Sequence, residues 1–228
     1  MTTDAIGNLY VISDNQLLKF SPEGKPLQNY AEVRNGELRM VDASNPMKVL
    51  LFYPDMARLV ALGTQFAPQS TIELRNLGIY QPTLACNSIN EGYWIYDLQD
   101  FQLKKLDLNL QLVFQSGNLQ LLTGKKVVPT SLIEYNQRVY LNDPSSGILV
   151  FDQFAGYYKT LPIHNIRSMQ GVKDRLYCND GAHIVAIDIR RGGSDTLLLP
   201  SHRQIKFGRF TDSRLYLLTT DSLNIYSF

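Results

Sequence analysis

The sequence predicts an all-β fold: a six-bladed β-propeller whose blades are four-stranded antiparallel sheets. Residues 129–162 contain four short runs rich in Val, Ile, Tyr and Phe, separated by Asn, Asp, Gly, Pro and Ser. This composition is typical of antiparallel strands joined by tight turns. Similar runs recur along all 228 residues, at a spacing of about 40 residues that suits a four-stranded propeller blade.

Two kinds of run define the repeat, and they always come in the same order. The first is a group of β-forming residues, usually around an aromatic, and it occurs at 8–11, 49–53, 92–95, 138–141, 175–178 and 214–217. The second follows each copy of the first, at 17–20, 58–61, 103–106, 148–151, 184–187 and 223–226. Because the two kinds of run alternate in a constant order along the chain, they predict one propeller domain over residues 1–228. Five blades plus an irregular unit is the alternative.

We letter the strands A to D outward from the axis of the ring. The predicted blades then span about 2–32, 33–76, 77–117, 118–163, 164–200 and 201–228. The last blade shows an A strand at 205–210, a B strand at 214–219 and a C strand at 223–228, with no D strand. An open ring exposes sheet edges, so we expect either imperfect closure or a strand supplied by a leader region that has been removed. Residues 110–125 are compatible with one helical turn, which Gly117 and Gly124 keep short.

The first blade resembles a known repeat. Asp4, Gly7 and Asn8, followed by Leu9-Tyr10-Val11, and then the run 16–24 (QLLKFSPEG), are similar to the repeat unit of NHL-like six-bladed propellers. The resemblance extends in part to the fourth and fifth blades, and the chain also resembles small exported bacterial propellers of unassigned role. It implies a funnel-shaped ring with a binding face and no particular reaction, because propellers host many unrelated functions.

Charge and composition bear on the class of partner. Lys plus Arg total 22 and Asp plus Glu total 21, a formal net charge of +1, so no basic surface favours nucleic acid. No apolar run approaches the roughly 20 residues that span a bilayer. The charged fraction of 19% favours an exported protein, periplasmic or associated with the cell envelope, whose leader has been replaced by Met1. The alternative is a cytoplasmic protein.

Aspartates are the first candidates for binding residues. One lies in or beside every predicted B–C turn: Asp14, Asp55, Asp100, Asp143, Asp180 and Asp221. These turns share one face of a propeller, where carboxylates would favour a cation or a basic partner surface. Asp is also a preferred turn residue because its side chain accepts hydrogen bonds from nearby backbone, and this structural role is the stronger expectation. Asp55, Asp100, Asp143 and Asp180 are kept as candidate binding residues.

Aromatic residues are the second candidates. Phe154, Tyr157 and Tyr158 lie in and after a predicted C–D turn, and aromatic side chains are enriched in binding hot spots. Packing between blades is the alternative explanation for aromatics on strands. These three residues form the best predicted contact surface for a protein partner.

Catalytic and metal motifs are missing from the sequence. It has no GxSxG elbow, P-loop or GxGxxG motif, and His164, His183 and His202 do not follow a metal-binding spacing. Cys86 and Cys178 are expected to be buried free thiols. Glu37 and Glu134 fall on predicted A strands, as channel carboxylates do in metal-dependent lactonases of this superfamily, but no matching Asn and Asp set accompanies them.

The predicted function is therefore a non-catalytic module that binds or scaffolds a protein partner within a larger assembly, without a cofactor or metal. Two alternatives stay open. One is a metal-dependent lactonase or other hydrolase with its site in the central channel. The other is a sensing domain that binds a sugar, a peptide or another small ligand in the funnel.

Overall fold

A computed structural model describes residues 1–199 and 205–227 and confirms the six-bladed propeller. The described residues form 23 strands in six antiparallel sheets, five with four strands and one with three. Consecutive strands pair within each sheet, so every blade is a simple up-and-down meander. The alternative of five blades plus an irregular unit is wrong.

The blades follow one another along the chain. Blade 1 holds β1 (Thr2–Thr3), β2 (Leu9–Ser13), β3 (Gln16–Phe20) and β4 (Pro26–Tyr30). Blade 2 holds β5 (Met40–Asp42), β6 (Val49–Tyr53), β7 (Arg58–Leu62) and β8 (Pro68–Glu73). Blade 3 holds β9 (Pro82–Asn87), β10 (Tyr93–Asp97), β11 (Gln102–Leu106) and β12 (Leu112–Gln115).

The second half of the ring is built in the same way. Blade 4 holds β13 (Ser131–Tyr135), β14 (Arg138–Asp143), β15 (Gly147–Asp152) and β16 (Tyr157–Leu161). Blade 5 holds β17 (Ser168–Val172), β18 (Arg175–Asn179), β19 (His183–Asp188) and β20 (Ser194–Leu198). Blade 6 holds β21 (Phe207–Phe210), β22 (Arg214–Leu218) and β23 (Leu223–Ser227). As predicted from the sequence, blade 6 has no fourth strand among the described residues.

Helical structure is confined to short segments. The α-helix α1 (Leu119–Thr123) begins at Asn118, whose side chain accepts hydrogen bonds from the backbone of Gln120 and Leu121, and ends at Gly124 in a left-handed conformation. Single 3-10 turns occupy Val33–Asn35, Pro54–Met56 and Leu74–Leu77. No helix in the described ranges has the length and apolar character needed to cross a bilayer.

The middle strands are apolar throughout because both of their faces are covered. In β14, Val139 and Leu141 belong to the core between blades 3 and 4, whereas Tyr140 belongs to the core between blades 4 and 5. Successive side chains of a strand point to opposite faces, so one strand contributes to two cores. Continuous apolar runs in the sequence are the result.

The antiparallel order gives the ring two distinct faces. The A–B and C–D turns lie on one, which we call the A–B face; the B–C turns and the D-to-A connections lie on the other, the B–C face. The inner strands surround a channel of about 820 Å³. In blade 1 the inner strand is only Thr2–Thr3, because Asp4 accepts hydrogen bonds from the backbone of Ile6 and Asn8 and turns the chain.

Gly92 tests the close packing inside a blade. Its φ is +81°, and an added Cβ would lie 2.1 Å from the carbonyl oxygen of Leu106. We expect Gly92→Ala to lower the free energy of unfolding by about 3 kcal/mol, since backbone must move in addition to the conformational strain. Urea denaturation measures the change.

Gly78→Ala is the matched control. Gly78 has a similar φ of +76°, with no atom within 4 Å of the added Cβ. The Gly78→Ala substitution should lower the free energy of unfolding by only about 1 kcal/mol, which is the cost of a left-handed backbone conformation alone. Equal effects of the two substitutions would contradict the packing described for blade 3.

Candidate functional site

The six B–C turn aspartates share one face but do not converge on the channel. None of them is among the residues that line it. Asp14 and Asp55 are exposed, whereas Asp100 is half-buried and Asp143 is buried. The sequence suggested a ring of carboxylates around one mouth of the channel. In the structure, these aspartates lie instead in separate turns that are farther from the axis of the ring than the inner strands are.

Asp143 is held by its own turn. Its carboxylate accepts hydrogen bonds from the backbone of Val128 at 2.8 Å, the hydroxyl of Ser145 at 2.7 Å and the backbone of Ser146 at 2.8 Å. Burial by itself would raise the pKa of this carboxyl, but the hydrogen bonds to the charged form outweigh it and lower the pKa below its usual value. The carboxylate therefore has a structural role in linking the D-to-A connection to the turn.

Asp180 and Asp100 are also engaged locally. Asp180 accepts from the backbone of Ala182 at 2.7 Å and of His183 at 2.6 Å, and its other oxygen lies 3.1 Å from Nδ1 of His183. Burial by itself would raise the pKa of the Asp180 carboxyl, but these hydrogen bonds outweigh burial and lower the pKa below its usual value. Asp100 shares the ammonium of Lys104 with buried Asp97, which lies 2.7 Å from that nitrogen. A binding role for these aspartates stays a prediction.

The predicted aromatic residues lie on the outer rim of blade 4 and are solvent-exposed: Phe154 by 57%, Tyr157 by 43% and Tyr158 by 59%. Phe154 packs edge-on against Phe114 of blade 3, with ring centroids 5.2 Å apart. Tyr157 packs edge-on against Phe151, at 6.0 Å. Half of each ring is therefore fixed by the protein while the other half faces solvent.

Tyr158 lies on the other side of blade 4. The guanidinium of Arg138 sits 4.6 Å from its ring centroid. Arg138 lies two residues before Tyr140 and therefore shares its face of β14, which is directed toward blade 5. Tyr158 thus lies toward blade 5, while Tyr157 packs toward blade 3. The three aromatics thus straddle the outer edge of blade 4 and do not form one flat patch.

Sequence reasoning missed an apolar neighbour that extends this surface. Leu112 is exposed at the start of β12, two residues before Phe114. Ile89, exposed in the A–B turn of blade 3, lies instead among the residues that line the channel. We call Leu112, Phe154, Tyr157 and Tyr158 the rim patch. A β-strand pattern does not show which apolar side chains are left uncovered at a blade edge.

The channel contains polar groups that tie neighbouring blades together. Glu134 of β13 accepts hydrogen bonds on Oε2 from the backbone of Ile89 at 2.9 Å and from the indole of Trp94 at 2.8 Å. Gln170 of β17 both donates to and accepts from the backbone of Phe210, at 2.6 and 2.8 Å. Each contact links an inner strand to a neighbouring blade, blade 3 for Glu134 and blade 6 for Gln170, which gives these channel residues a structural function.

Arg209 and Glu134 are the charged groups that stand out within the channel. The guanidinium of Arg209 donates to the carbonyl oxygens of Met169 at 2.5 Å and Met1 at 3.2 Å. Burial lowers its pKa to about 10, against the attraction of Asp42, so it remains a cation at neutral pH. Oε1 of Glu134 is buried without a hydrogen-bond partner in the described part of the chain.

The channel carboxylates do not gather into a metal-binding set. Glu37 is exposed, lies before the inner strand Met40–Asp42 and pairs with Arg39 at 2.9 Å, whereas Glu134 is buried. No group of three or more His, Cys, Asp or Glu side chains within residues 1–199 and 205–227 is arranged to hold a metal ion. His202 lies outside the described residues.

The two cysteines are buried free thiols, as predicted. Burial raises the pKa of Cys178 to about 12. Burial and the carboxylates of Asp42 and Glu134 raise that of Cys86 well above its usual value. Reactive cysteines have lowered pKa values, and burial gives both thiols the opposite shift.

Comparison with known proteins supports the propeller fold but does not assign the chain to a family. No family model matches the chain, and no curated protein matches it. Solved structures do match, among them a catalytically inactive virginiamycin B lyase from Staphylococcus aureus with quinupristin, at 11% identity and a TM-score of 0.68 over 100% of this chain and 79% of that one.

Two other similar structures come from different classes of protein. BBS1N in complex with ARL6DN has 14% identity and a TM-score of 0.61, over 97% of this chain and 75% of that one. BamB from Moraxella catarrhalis has 13% identity and a TM-score of 0.53, over 96% and 69%. At such identities the likeness establishes the propeller fold, which serves both enzymes and binding proteins.

Asp143 provides a test of the structural role of the turn aspartates. Its lowered pKa means that its contribution to stability is present above the pKa of the unfolded chain and is lost as the pH falls through the lower folded value. We expect Asp143→Asn to reduce the free energy of unfolding by about 1–3 kcal/mol at pH 7, because a buried amide cannot accept all three hydrogen bonds. The deficit relative to the native chain should shrink toward pH 3.

Urea denaturation of both proteins from pH 3 to 7 measures this difference. The control is Asp55→Asn at an exposed turn, which should change the free energy of unfolding by less than about 0.5 kcal/mol. A deficit for Asp143→Asn that stays constant with pH would contradict the assigned role of its charge.

Proposed function

We propose that this chain is a non-catalytic propeller that binds a protein partner through the rim patch. The observation that carries the proposal is the aromatic pair of blades 3 and 4, in which exposed Phe154 is held against partly buried Phe114. A ring that is already fixed loses little conformational entropy on binding, so exposed aromatic area contributes directly to affinity.

The chemistry of the rim patch favours a protein over a small molecule. Leu112, Phe154, Tyr157 and Tyr158 do not line the channel. The patch combines apolar side chains with the hydroxyls of Tyr157 and Tyr158, and Arg138 lies beneath the second tyrosine. Interface cores of proteins are enriched in Tyr, Phe and Arg, whereas small ligands prefer concave sites. One similar fold, BBS1N, is itself described in complex with another protein.

Composition supports two further parts of the proposal. The low charged fraction favours an exported or envelope-associated location, and the first-blade motif around Asp4, Gly7 and Asn8 favours an NHL-like relationship. Fractionation of the native source, with detection by antibody, tests the location. Recovery in the cytoplasmic fraction would contradict it.

Substitutions in the rim patch test the proposed function. The native chain is immobilised, its stoichiometric partner is identified by mass spectrometry, and the affinity of the purified partner is measured. We expect Phe154→Ala and Tyr158→Ala each to weaken binding by about 10-fold or more, as hot-spot truncations do.

Tyr80→Ala is the control, since Tyr80 is a similarly exposed aromatic in the connection between blades 2 and 3, on the B–C face. It should leave the affinity unchanged. Equal losses for Tyr80→Ala and Phe154→Ala, or full binding by the double variant of Phe154 and Tyr158, would contradict the proposal.

A second candidate function is a small molecule bound in the channel, as in the lactonase alternative. The specific observation that favours it is the unpartnered Oε1 of Glu134 in a cavity of about 820 Å³. The discriminating measurement is elemental analysis with native mass spectrometry of protein from its native source. About one divalent cation per chain without a protein partner would favour the channel, and a stoichiometric partner without metal would favour the rim patch.

A further inference from the structure

The connection between blades 3 and 4 presents exposed apolar side chains on the B–C face. It spans residues 116–130, whereas the connections before and after it span only 74–81 and 162–167. Leu121 is 86% exposed, Leu122 46% and Val128 50%. Long connections in compact domains usually have a function of their own. None of the three apolar side chains lines the channel, so this function differs from binding in the channel.

The fold itself directs these side chains to solvent. Leu119 and Val127, on either side of the exposed tip, are buried in the core between blades 3 and 4. The backbone N–H of Val128 donates to the carboxylate of Asp143 at 2.8 Å. Between the two buried anchors, the capped helix α1 gives the chain a defined course. The exposure of Leu121 is therefore part of the formed structure of the connection.

The same connection carries positive charge without negative charge. Lys125 and Lys126 are exposed, and neither side chain forms an ion pair with a described residue. The connection contains no Asp or Glu. In the adjoining B–C turns, Asp100 pairs with Lys104 and Asp143 accepts three hydrogen bonds. The near-balance of charge over the whole chain thus includes a locally basic tip.

The composition of the connection favours a lipid surface over a protein partner. Protein interfaces are enriched in Tyr, Trp, Phe and Arg and depleted in Lys, and Leu and Val are under-represented among binding hot spots. The connection contains no Tyr, Trp, Phe or Arg, and its exposed apolar and charged groups are Leu, Val and Lys. Apolar groups beside lysines are instead typical of proteins that lie on anionic membranes.

We propose that this connection docks the propeller on an anionic lipid surface. Leu121 and Leu122 enter the boundary between headgroups and acyl chains, while the ammonium groups of Lys125 and Lys126 stay at the headgroup phosphates. The attachment is reversible, since stable anchoring needs a larger buried apolar area. The rim patch shares none of these residues, so the inference goes beyond the proposed function and does not depend on it.

Co-sedimentation of the full chain with lipid vesicles tests the proposal. One set of vesicles is phosphatidylcholine alone, and the other is phosphatidylcholine and phosphatidylglycerol in equal parts. We expect partitioning into the mixed vesicles to be about 10-fold stronger or more, because each ammonium group near an anionic surface adds attraction. High salt should reduce the difference. Equal partitioning into both sets, or none into either, would overturn the proposal.

Substitution of an apolar side chain locates the contact. Leu121→Ser should weaken partitioning into the mixed vesicles by about 10-fold or more, because a leucine that leaves water on binding is lost. The matched control is Leu108→Ser. Leu108 is 56% exposed in the C–D turn of blade 3, on the A–B face, so this variant should partition like the native chain. Equal losses for the two variants would overturn the proposal.

Substitution of the lysines separates local from overall charge. Lys125→Gln combined with Lys126→Gln should weaken partitioning into the mixed vesicles by about 10-fold or more and leave partitioning into phosphatidylcholine unchanged. The control combines Lys25→Gln with Lys159→Gln, two exposed lysines outside the connection. It makes the same change in net charge and should partition like the native chain. Equal losses would indicate attraction by overall charge and overturn the proposal.

A fluorescent label reads insertion directly. Both native thiols are buried, so Leu121→Cys introduces an exposed thiol that an environment-sensitive dye can label. We expect the dye at this position to shift its emission to the blue with the mixed vesicles, and the dye on Leu108→Cys to show no shift. If the dye at position 121 responds to a purified protein partner and not to vesicles, the connection binds protein, and the proposal is overturned.

Discussion

The structure depends on one constraint: no blade can bury its own middle strands. The side chains of β14 alternate between two cores, one shared with blade 3 and one with blade 5, and similar cores join the other successive blades from 1 to 6 in the described residues. An isolated small sheet is marginally stable in water, so each blade needs both neighbours. The folding unit is therefore the ring, and every local feature has to be compatible with its closure.

Polar contacts between inner strands give the ring its register. Asp42 accepts from the backbone of Asn87 at 2.7 Å, and the side chain of Asn87 donates back to the carbonyl of Lys48 at 3.2 Å. Glu134 and Gln170 make equivalent contacts at other blade boundaries. Apolar packing alone tolerates sliding, whereas a buried carboxylate with a specific donor does not. The channel residues are thus accounted for largely by assembly of the ring.

How well each structural feature can be predicted from the sequence depends on how far apart in the sequence its interacting residues lie. The B and C strands were recognisable because their apolar runs and turn residues are local: 138–141 and 148–151 fall within β14 and β15. The sequence places Glu37 on an inner strand, but that strand is only Met40–Asp42, since inner strands owe their extent to pairing and not to composition. The buried state of Glu134 was not predictable, because its partner Trp94 is 40 residues away. Exposure of Phe154, Tyr157 and Tyr158 was predictable from their place after a turn.

The same constraint bears on where binding can occur. A group that holds two blades together cannot also bind a ligand unless the ring is disrupted. The side chain of Gln170 is therefore committed to the ring. In Arg209 and Glu134, only the atoms that make no contact between blades are left to bind a ligand. Surfaces that the ring leaves partly covered carry no such cost, and one of them is the outer rim of blades 3 and 4, where Phe154 and Tyr157 are half covered. In a propeller whose inner strands are committed to closure, such peripheral side chains can gain burial in a complex without disturbing the fold.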